Sequence, residues 1–348
     1  MEEIDFLIIG QGLAGSVLAY QLIQQNKKVL IIDESSGATS SRQATGLINP
    51  ITGRRFVKSW MTEQLMPYAK NFYTAVEKQL NASFFKETKQ VKILQSVEQQ
   101  NDFYIRLQDN AYTAYLHKSK ENLRDFNNPI EAIETTPIYQ IEINELQDVF
   151  LKYFKSKACI LQEKFDFTNF KIEPSNFLYN NIKAKYIIFA EGYLIKDNPY
   201  FSFIPEHHTK GEALVVENKE LDIDFVLNSY INITPSQNKQ YYVGATYDWN
   251  DLSENTTAKK RAEMAEKWNK TTSLALNIVE QKVGIRPTTV DRRPLLGSHP
   301  KHNKMYVFNG MGTKGLSLAP YFAQHLIEHI ILEKPLLKEV NIARFYGE

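Results

Sequence analysis

A glycine-rich turn between two short apolar runs is the feature that most constrains the fold of this chain. The run Ile4–Ile9 leads into residues 10–15, GQGLAG, which have the pattern G-x-G-x-x-G. Apolar residues then recur at helical spacing over Leu13–Gln25, and a second apolar run, Val29–Ile32, ends at Asp33. Strand, glycine turn, helix and strand together predict a βαβ unit of about 30 residues.

This unit has the features of a dinucleotide site. The first glycine permits the tight turn, the second lets the backbone approach a pyrophosphate, and the third lets helix and strand pack closely. The helix N-terminus offers free N–H groups and the positive end of its dipole. Asp33 is placed to accept hydrogen bonds from a ribose diol, and its carboxylate would repel a 2′-phosphate, which disfavours NADP. The unit predicts a dinucleotide but does not separate FAD from NAD.

Composition removes several other classes of protein. The 41 basic and 40 acidic residues give a net charge of +1, which does not support binding to nucleic acid or membrane, although a local patch could be hidden in that total. The single cysteine, Cys159, excludes an internal disulfide and a cysteine-based metal cluster. None of the seven histidines has a metal-ligand partner at useful spacing, so we predict no metal site.

The chain start also carries a prediction about location. The first residues are acidic where a signal peptide needs basic ones. No apolar run approaches the roughly 18–20 residues of a membrane span. We therefore expect a cytoplasmic protein.

Two later segments favour FAD over NAD. Residues 35–50 are rich in Ser, Thr, Gly and Ala, and the stretch 40–50, SSRQATGLINP, stands where an NAD domain would begin its next helix. Such a loop is too long for an idle connection. Near the C-terminus the chain returns to a strand, Met305–Phe308, a glycine turn at 309–315, NGMGTKG, and a helix, Leu316–Ile331.

Alternating apolar runs lie between these segments and predict antiparallel strands. They are Val91–Gln95, Phe103–Leu107, Ala213–Val216, Phe225–Ile233 and Gln240–Tyr247. Helical patterns separate them, so α/β blocks and antiparallel blocks alternate along the chain. A simple two-halves dinucleotide domain would not be interrupted in this way.

The motifs in their order resemble the family of D-amino-acid oxidase, glycine oxidase and sarcosine oxidase over nearly the whole chain. Besides the two glycine turns and the loop, the matching pieces are IIFAEG at 187–192, GAT at 244–246, GIRP at 284–287 and DRRPLLG at 291–297. The resemblance implies an α/β fold in which a Rossmann-like FAD-binding domain (1–80, 142–200 and 285–348) is interleaved with an antiparallel-sheet substrate domain (81–141 and 201–284).

The resemblance also implies a reaction. A C–N bond of an amino acid or secondary amine would be oxidised by hydride transfer to flavin N5, giving an imine that water hydrolyses. The electron acceptor stays open. Covalent members of the family use a Cys near the C-terminal turn or a His in the first loop, and neither occurs here. We therefore predict non-covalent FAD.

The cofactor residues follow from the same resemblance. Ser41, Arg42 and Gly46 would line the pyrophosphate and ribityl chain, and Ala190 and Gly192 the adenosine, with backbone near Phe165. The segment 312–316 would present N–H groups to the N1–C2=O edge of the flavin. The complete predicted set is Gly10, Gly12, Leu13, Ala14, Gly15, Asp33, Glu34, Ser41, Arg42, Gly46, Leu47, Phe165, Ala190, Gly192, Gly312, Thr313, Lys314, Gly315 and Leu316.

Four residues are predicted to meet the substrate. Arg286 matches the arginine that clamps the substrate carboxylate in amino-acid members of the family, since its planar fork suits a carboxylate; the alternative is a structural arginine. Asn232 stands where such members often carry a tyrosine, and Tyr230, two residues earlier on the same predicted strand face, could supply the hydroxyl instead. Leu47 would form an apolar wall beside the flavin.

Several alternatives stay open at this point. Arg54 and Arg55 lie outside the general family pattern and either recognise a second acidic group or are simply solvated. The stretch 42–50 also resembles the loop of the bacterial bifunctional enzyme that processes a carboxymethylaminomethyl wobble uridine in tRNA. A flavoprotein that binds FAD only as a structural element is the third possibility.

Overall fold

The glycine turn at residues 10–15 joins a strand to a helix, as predicted. In the computed structural model, which describes residues 1–34, 39–127, 130–205 and 207–346, β1 (Glu2–Ile9) leads through the turn into α1 (Leu13–Gln24). β2 (Val29–Ile32) pairs with β1 in parallel. A Cβ on Gly15 would lie 1.9 Å from the carbonyl oxygen of Gly10, so only glycine lets the helix pack this close to the turn. Residues 35–38 of the predicted first loop lie outside the described residues.

The remaining elements follow in chain order. The strands are β3 (Leu47–Ile48), β4 (Ile51–Thr52), β5 (Val57–Lys58), β6 (Phe85–Ile93), β7 (Leu116–Lys118), β8 (Ala132–Ile141), β9 (Ile160–Leu161), β10 (Phe170–Ile172), β11 (Phe177–Tyr179), β12 (Ile182–Phe189), β13 (Thr209–Glu217), β14 (Val226–Asn228), β15 (Asn232–Pro235), β16 (Gln240–Gly244), β17 (Asn277–Arg286), β18 (Leu295–His299) and β19 (His302–Asn309). The helices are α2 (Thr62–Leu80), α3 (Val97–Leu107), α4 (Ile143–Ser156), α5 (Ala258–Thr271) and α6 (Gly315–Leu332).

Within the described residues, two large sheets contain all the strands except β4 and β5, which pair with each other as a separate hairpin. The first has a parallel centre in the order β9-β2-β1-β12-β19, with β10, β11 and β18 added in antiparallel pairs. The second runs β17-β13-β16-β15-β14-β6-β8-β3, with β7 on β8, and is antiparallel except for the pair β14 and β6. The predicted α/β fold with an interleaved antiparallel sheet is confirmed.

Strand membership gives the domain division a structural basis, and we keep that division as a proposal. The strands of the first sheet all fall within 1–80, 142–200 and 285–348. The second sheet draws on 81–141 and 201–284, but β3 joins it from the first block and β17 ends at Arg286. The chain therefore passes between the two sheets close to the predicted boundaries.

The largest apolar core lies between the first sheet and the helices α1, α2, α4 and α6. Helix α6 contains Pro320, which cannot donate to the carbonyl of Leu316 one turn earlier. The hydroxyl of Tyr73, from α2, donates to that carbonyl at 2.9 Å instead. This bond fixes the first turn of α6, which is the part of the helix that faces the site described below.

One predicted strand is wrong. Phe103–Leu107 belongs to helix α3, which begins after Ser96, whose side chain accepts a hydrogen bond from the N–H of Gln99. Phe103 is buried and Ile105 is 65% exposed, so the apolar residues alternate in the sequence but do not share a face. The N-cap outweighs the alternating pattern.

Among the described residues, no helix has the length and apolar character needed to cross a membrane. No group of three or more His, Cys, Asp or Glu side chains in the same residues could hold a metal ion. Cys159 is a buried free thiol, and burial raises its pKa to about 11.

Candidate active site

A cavity of about 680 Å³ is lined by residues of both sheets. Most of the predicted site residues line it, although they come from segments far apart in the sequence. The structure brings together Gly10, Gly12, Leu13, Ala14, Asp33, Glu34, Ser41, Gly46, Leu47, Phe165, Ala190, Gly192, Asn232, Arg286, Gly312, Thr313, Gly315 and Leu316.

One end of the cavity is built by the first glycine turn. The N–H of Gln11 donates to the Oδ2 atom of Asp33 at 2.7 Å, so this carboxylate also fixes the turn. The N–H of Leu13, the first residue of α1, donates to the Oγ atom of Ser41 at 3.1 Å. A Cβ on Gly12 would meet only this Ser41 hydroxyl, at 3.6 Å, so a side chain there would occupy space beside the helix N-terminus. This end suits an anionic group such as a pyrophosphate.

A second helix N-terminus faces the same cavity. Gly312 and Thr313 line the cavity directly before α6, and Gly315 and Leu316 line it from the first turn of α6. No side chain caps this helix, so its first N–H groups lack intrahelical partners. The N–H of Gly312 donates to the carbonyl of Pro287 at 3.1 Å, which ties the turn to the residue after Arg286. Both positive dipole ends are thus directed at one cavity.

Arg286 ends β17 inside this cavity with its guanidinium largely buried. Its Nη1 atom donates to the carbonyls of Thr246 at 3.3 Å and Lys210 at 3.5 Å, and its Cζ atom lies 4.5 Å from the ring centroid of Tyr247. Among the described residues no carboxylate pairs with it. Burial lowers the pKa of Arg286, and Tyr247 opposes that shift. A buried guanidinium held only by carbonyls and a ring retains donors for an incoming carboxylate.

The floor beneath Arg286 is made of small residues. A Cβ on Gly211, in β13, would lie 2.2 Å from the Nη2 atom and 2.4 Å from the Cζ atom of Arg286. Glycine at this position therefore creates the space that the guanidinium occupies.

Paired residues of four neighbouring strands, β15, β16, β13 and β17, continue this surface of the cavity in one row. Asn232 pairs with Gly244, Gly244 with Ala213, and Ala213 with Lys282. All four residues line the cavity. The row thus places an amide and an ammonium group at the two ends of a surface made of Gly and Ala.

Tyr230 is a correction. The single predicted strand Phe225–Ile233 is in fact two strands, β14 and β15, and Tyr230 lies in the turn between them. Its side chain is 46% exposed and does not line the cavity. Alternation along one strand cannot relate Tyr230 to Asn232, because the chain reverses direction between them.

Three predicted cofactor residues do not line the cavity either. Gly15 acts through helix packing, as described above. The guanidinium of Arg42 turns outward to the carboxylate of Asp148, at 2.7 Å. The Nζ atom of Lys314 donates to the Oγ atom of Ser59 at 3.0 Å, and neither residue lines the cavity.

Gly211, Tyr247 and Gln43 are three of the cavity residues that sequence reasoning missed. An isolated glycine inside a strand is a signal of close approach, and it could have drawn attention to Gly211. Nothing in the local sequence distinguishes Tyr247. Gln43 lines the cavity with a buried Oε1 atom that has no hydrogen-bond partner among the described residues. This oxygen can accept a hydrogen bond from a bound ligand.

Comparisons with known proteins agree with this geometry. The tRNA 5-methylaminomethyl-2-thiouridine biosynthesis bifunctional protein MnmC of Leptospira interrogans is 25% identical over 97% of this chain, but the chain spans only 59% of that protein's length. The glycine oxidase of Bacillus subtilis is 22% identical, with 97% of this chain and 94% of that protein covered.

Solved structures show the same fold. The crystal structure of glycine oxidase from Geobacillus kaustophilus has a TM-score of 0.83 at 18% identity, covering 99% of this chain and 98% of the other. L-proline dehydrogenase from P. horikoshii has a TM-score of 0.80 at 19% identity, covering 97% and 96%. The family described as DAO, FAD dependent oxidoreductase, matches residues 5–329. The chain therefore belongs to the DAO family of FAD-dependent oxidoreductases, an enzyme family whose cofactor is FAD.

Proposed function

We propose that this enzyme oxidises the C–N bond of an amine that carries a carboxylate, either an amino acid or a secondary amine derived from one. The observation that carries the proposal is the guanidinium of Arg286, which lies in the cavity without a carboxylate partner among the described residues. A buried unpaired cation is costly, and a substrate carboxylate would relieve that cost. Glycine oxidase and proline dehydrogenase, which share the fold, are named for substrates of this class.

The residues present fit FAD. The turn at 10–15, with Asp33 and Ser41, would hold the pyrophosphate and ribose, and the N-terminal turn of α6 would hold the flavin edge. FAD would supply the hydride acceptor at flavin N5.

The protein's own residues would supply orientation and exclude water. Arg286 would bind the substrate carboxylate in two-pronged geometry, with Tyr247 covering the guanidinium. Leu47 would form an apolar wall, and Asn232 would offer a polar group from the opposite end of the small-residue row. Held in this way, a neutral amine needs no separate base to lose hydride from its α-carbon.

An anaerobic substrate screen tests the proposal. The holoenzyme is mixed with amino acids, N-substituted glycines and matched amines that lack the carboxylate, and loss of the visible absorbance of the flavin is followed. We expect fast bleaching by amines with a carboxylate and at most slow bleaching by the matched amines without one. Equally fast bleaching by both groups would remove the proposed role of Arg286, and bleaching by none would favour a structural flavin.

A second candidate function is oxidation of the same kind of amine carried on a tRNA. The similarity to the Leptospira protein named for tRNA 5-methylaminomethyl-2-thiouridine biosynthesis favours it, and the stretch 42–50 shares residues with that class of enzyme. Flavin reduction by a purified, undermodified tRNA, with no reduction by free amino acids, would select this candidate.

The flavin itself is expected to be non-covalent. Cys159 lies directly before β9, away from the α6 turn in sequence, and residues 40–50 contain no histidine. Acid precipitation of the purified yellow protein should leave the flavin in the supernatant. Colour that stays in the washed pellet would contradict this prediction.

Asp33→Ala is expected to weaken FAD binding by about 1.5–3 kcal/mol, or roughly 10- to 150-fold, because the ribose loses charge-assisted hydrogen bonds. Asp33→Asn is the matched control, since it keeps an acceptor for the N–H of Gln11 but loses the charge. FAD titration of the apoprotein gives the affinities, and melting of the apoprotein separates a loss of stability from a loss of binding. Equal FAD affinity in all three proteins would show that Asp33 does not contact the ribose.

A further inference from the structure

Four cations meet at the tip of the hairpin of β4 and β5, two from its turn and two from other elements. Arg54 and Arg55 lie in the turn and are exposed. The Nζ atom of Lys92 donates to the carbonyl of Gly53 at 3.0 Å, and the Nε atom of Arg106 donates to the carbonyl of Arg55 at 3.4 Å. Two cations from other elements therefore hold the turn that presents the first two.

Within the part of the chain that the structure describes, these four cations have no acidic partners. Among the described residues none of the four forms an ion pair, whereas Lys58 at the end of the same hairpin pairs with Glu63. Lys92 is half-buried, with its Nζ atom 4.4 Å from the ring centroid of Phe56. Burial, with a smaller contribution from Arg54, lowers the pKa of Lys92 to about 8. The tip therefore concentrates positive charge that the protein does not neutralise.

A second group of cations lies at the base of the hairpin. The Nζ atom of Lys314 is held by Ser59, directly after β5, and the guanidinium of Arg293 lies 4.4 Å from the ring centroid of Trp60. Burial lowers the pKa of Lys314, with smaller contributions from Arg293 and Arg292. No ion pair involves these three cations within the described part of the chain. We call the two groups together the cationic hairpin surface: Arg54, Arg55, Lys92, Arg106, Arg292, Arg293 and Lys314.

Such a concentration of charge is unfavourable in the free protein. Repulsion between neighbouring lysine and arginine side chains, together with their partial removal from water, destabilises the charged form of each. The whole chain has a net charge of only +1, so the surface reflects uneven distribution and not a general excess. A partner with several negative charges in a row would offset the repulsion at both ends of the hairpin.

We propose that the cationic hairpin surface binds the phosphate backbone of an RNA. Arginine and lysine side chains in this number supply backbone contacts that position a nucleic acid without reading its sequence. The surface is connected to the cavity along the chain, since Lys314 directly precedes Gly315 and Leu47 begins the segment that leads into the hairpin, and both Gly315 and Leu47 line the cavity. The binding does not depend on the reaction proposed above.

The test measures binding of fluorescently labelled bulk tRNA to the holoenzyme by anisotropy at several salt concentrations. The variant Arg54→Glu with Arg55→Glu removes two phosphate contacts, so we expect at least a roughly tenfold loss of affinity and a salt slope smaller by about two. The matched control is Lys27→Glu with Lys28→Glu, the same change of charge in the turn between α1 and β2. The control should bind like the parent protein.

Three outcomes overturn the proposal. The first is that the parent protein does not bind tRNA, and the second is that the control loses as much affinity for tRNA as the hairpin variant. The third is that poly-glutamate binds the parent protein as tightly as tRNA and its affinity changes in the same way with the substitutions, which would indicate an acidic protein partner. The rate of flavin reduction by a small amine that carries a carboxylate is measured on the same proteins, and this rate should be the same in both variants as in the parent protein. Failure of flavin reduction in the parent protein would concern the proposed reaction alone.

Discussion

Arg286→Ala is expected to lower kcat/KM for an amine with a carboxylate by roughly 10²–10⁴-fold, about 3–5 kcal/mol. The substitution removes the guanidinium that faces the cavity, so the substrate carboxylate would be taken out of water without a partner. Arg286→Lys keeps the charge but loses the planar fork, and a smaller loss is expected. Stopped-flow reduction of the flavin at varied substrate concentration measures both.

Two controls make this result specific. A substrate analogue without the carboxylate should be oxidised equally slowly by the parent protein and both variants. FAD content should stay near that of the parent protein, since the contacts of Arg286 are with Thr246, Lys210 and Tyr247 and not with the glycine turns. If Arg286→Ala instead releases FAD, or if the analogue suffers the same loss, Arg286 has a structural role and the amino-acid proposal loses its main support.

The parts of the site that follow a local motif could be predicted from the sequence. The turn at 10–15 dictates its own geometry, because only glycine tolerates the contact between Gly15 and the carbonyl of Gly10. Asp33 follows from its place at the end of β2. The second glycine turn and α6 were also readable, since a strand, a glycine turn and an apolar helix repeat near the C-terminus.

The parts of the site that depend on chain reversals and on side-chain direction could not be predicted from the sequence. Tyr230 was placed beside Asn232 because the run Phe225–Ile233 alternates without a clear turn signal, and the structure reverses the chain within it. Arg42 and Lys314 lie in the right segments, but their side chains follow distant partners, Asp148 and Ser59, that no local pattern specifies. The same holds for the cationic hairpin surface, whose members meet only through tertiary structure.

Gly211 is a glycine inside a strand, which the sequence shows, and its contact with Arg286 depends on the tertiary structure. Substitution of this glycine gives the second large expected effect. Gly211→Ala should lower kcat/KM about 10²-fold although alanine is small and alters no charge. Its Cβ would lie 2.2 Å from the Nη2 atom and 2.5 Å from the Nη1 atom of Arg286, so the guanidinium must move. The guanidinium is the free end of a flexible side chain, and it should shift while the strands stay paired. A displacement of about 1 Å at a substrate-positioning group is enough for a loss of this size.

A double-mutant cycle separates this mechanism from general damage to β13. If Gly211→Ala acts only by displacing the guanidinium, it should cause almost no further loss of kcat/KM in a protein that already carries Arg286→Ala. The interaction free energy between the two substitutions should then be nearly as large as the effect of Gly211→Ala alone in the parent protein. Melting temperature and FAD content should change little in either background. Additive losses in kcat/KM would mean that alanine at 211 disturbs the sheet or the substrate directly. The close contact between Gly211 and Arg286 would then not be what positions the carboxylate-binding group.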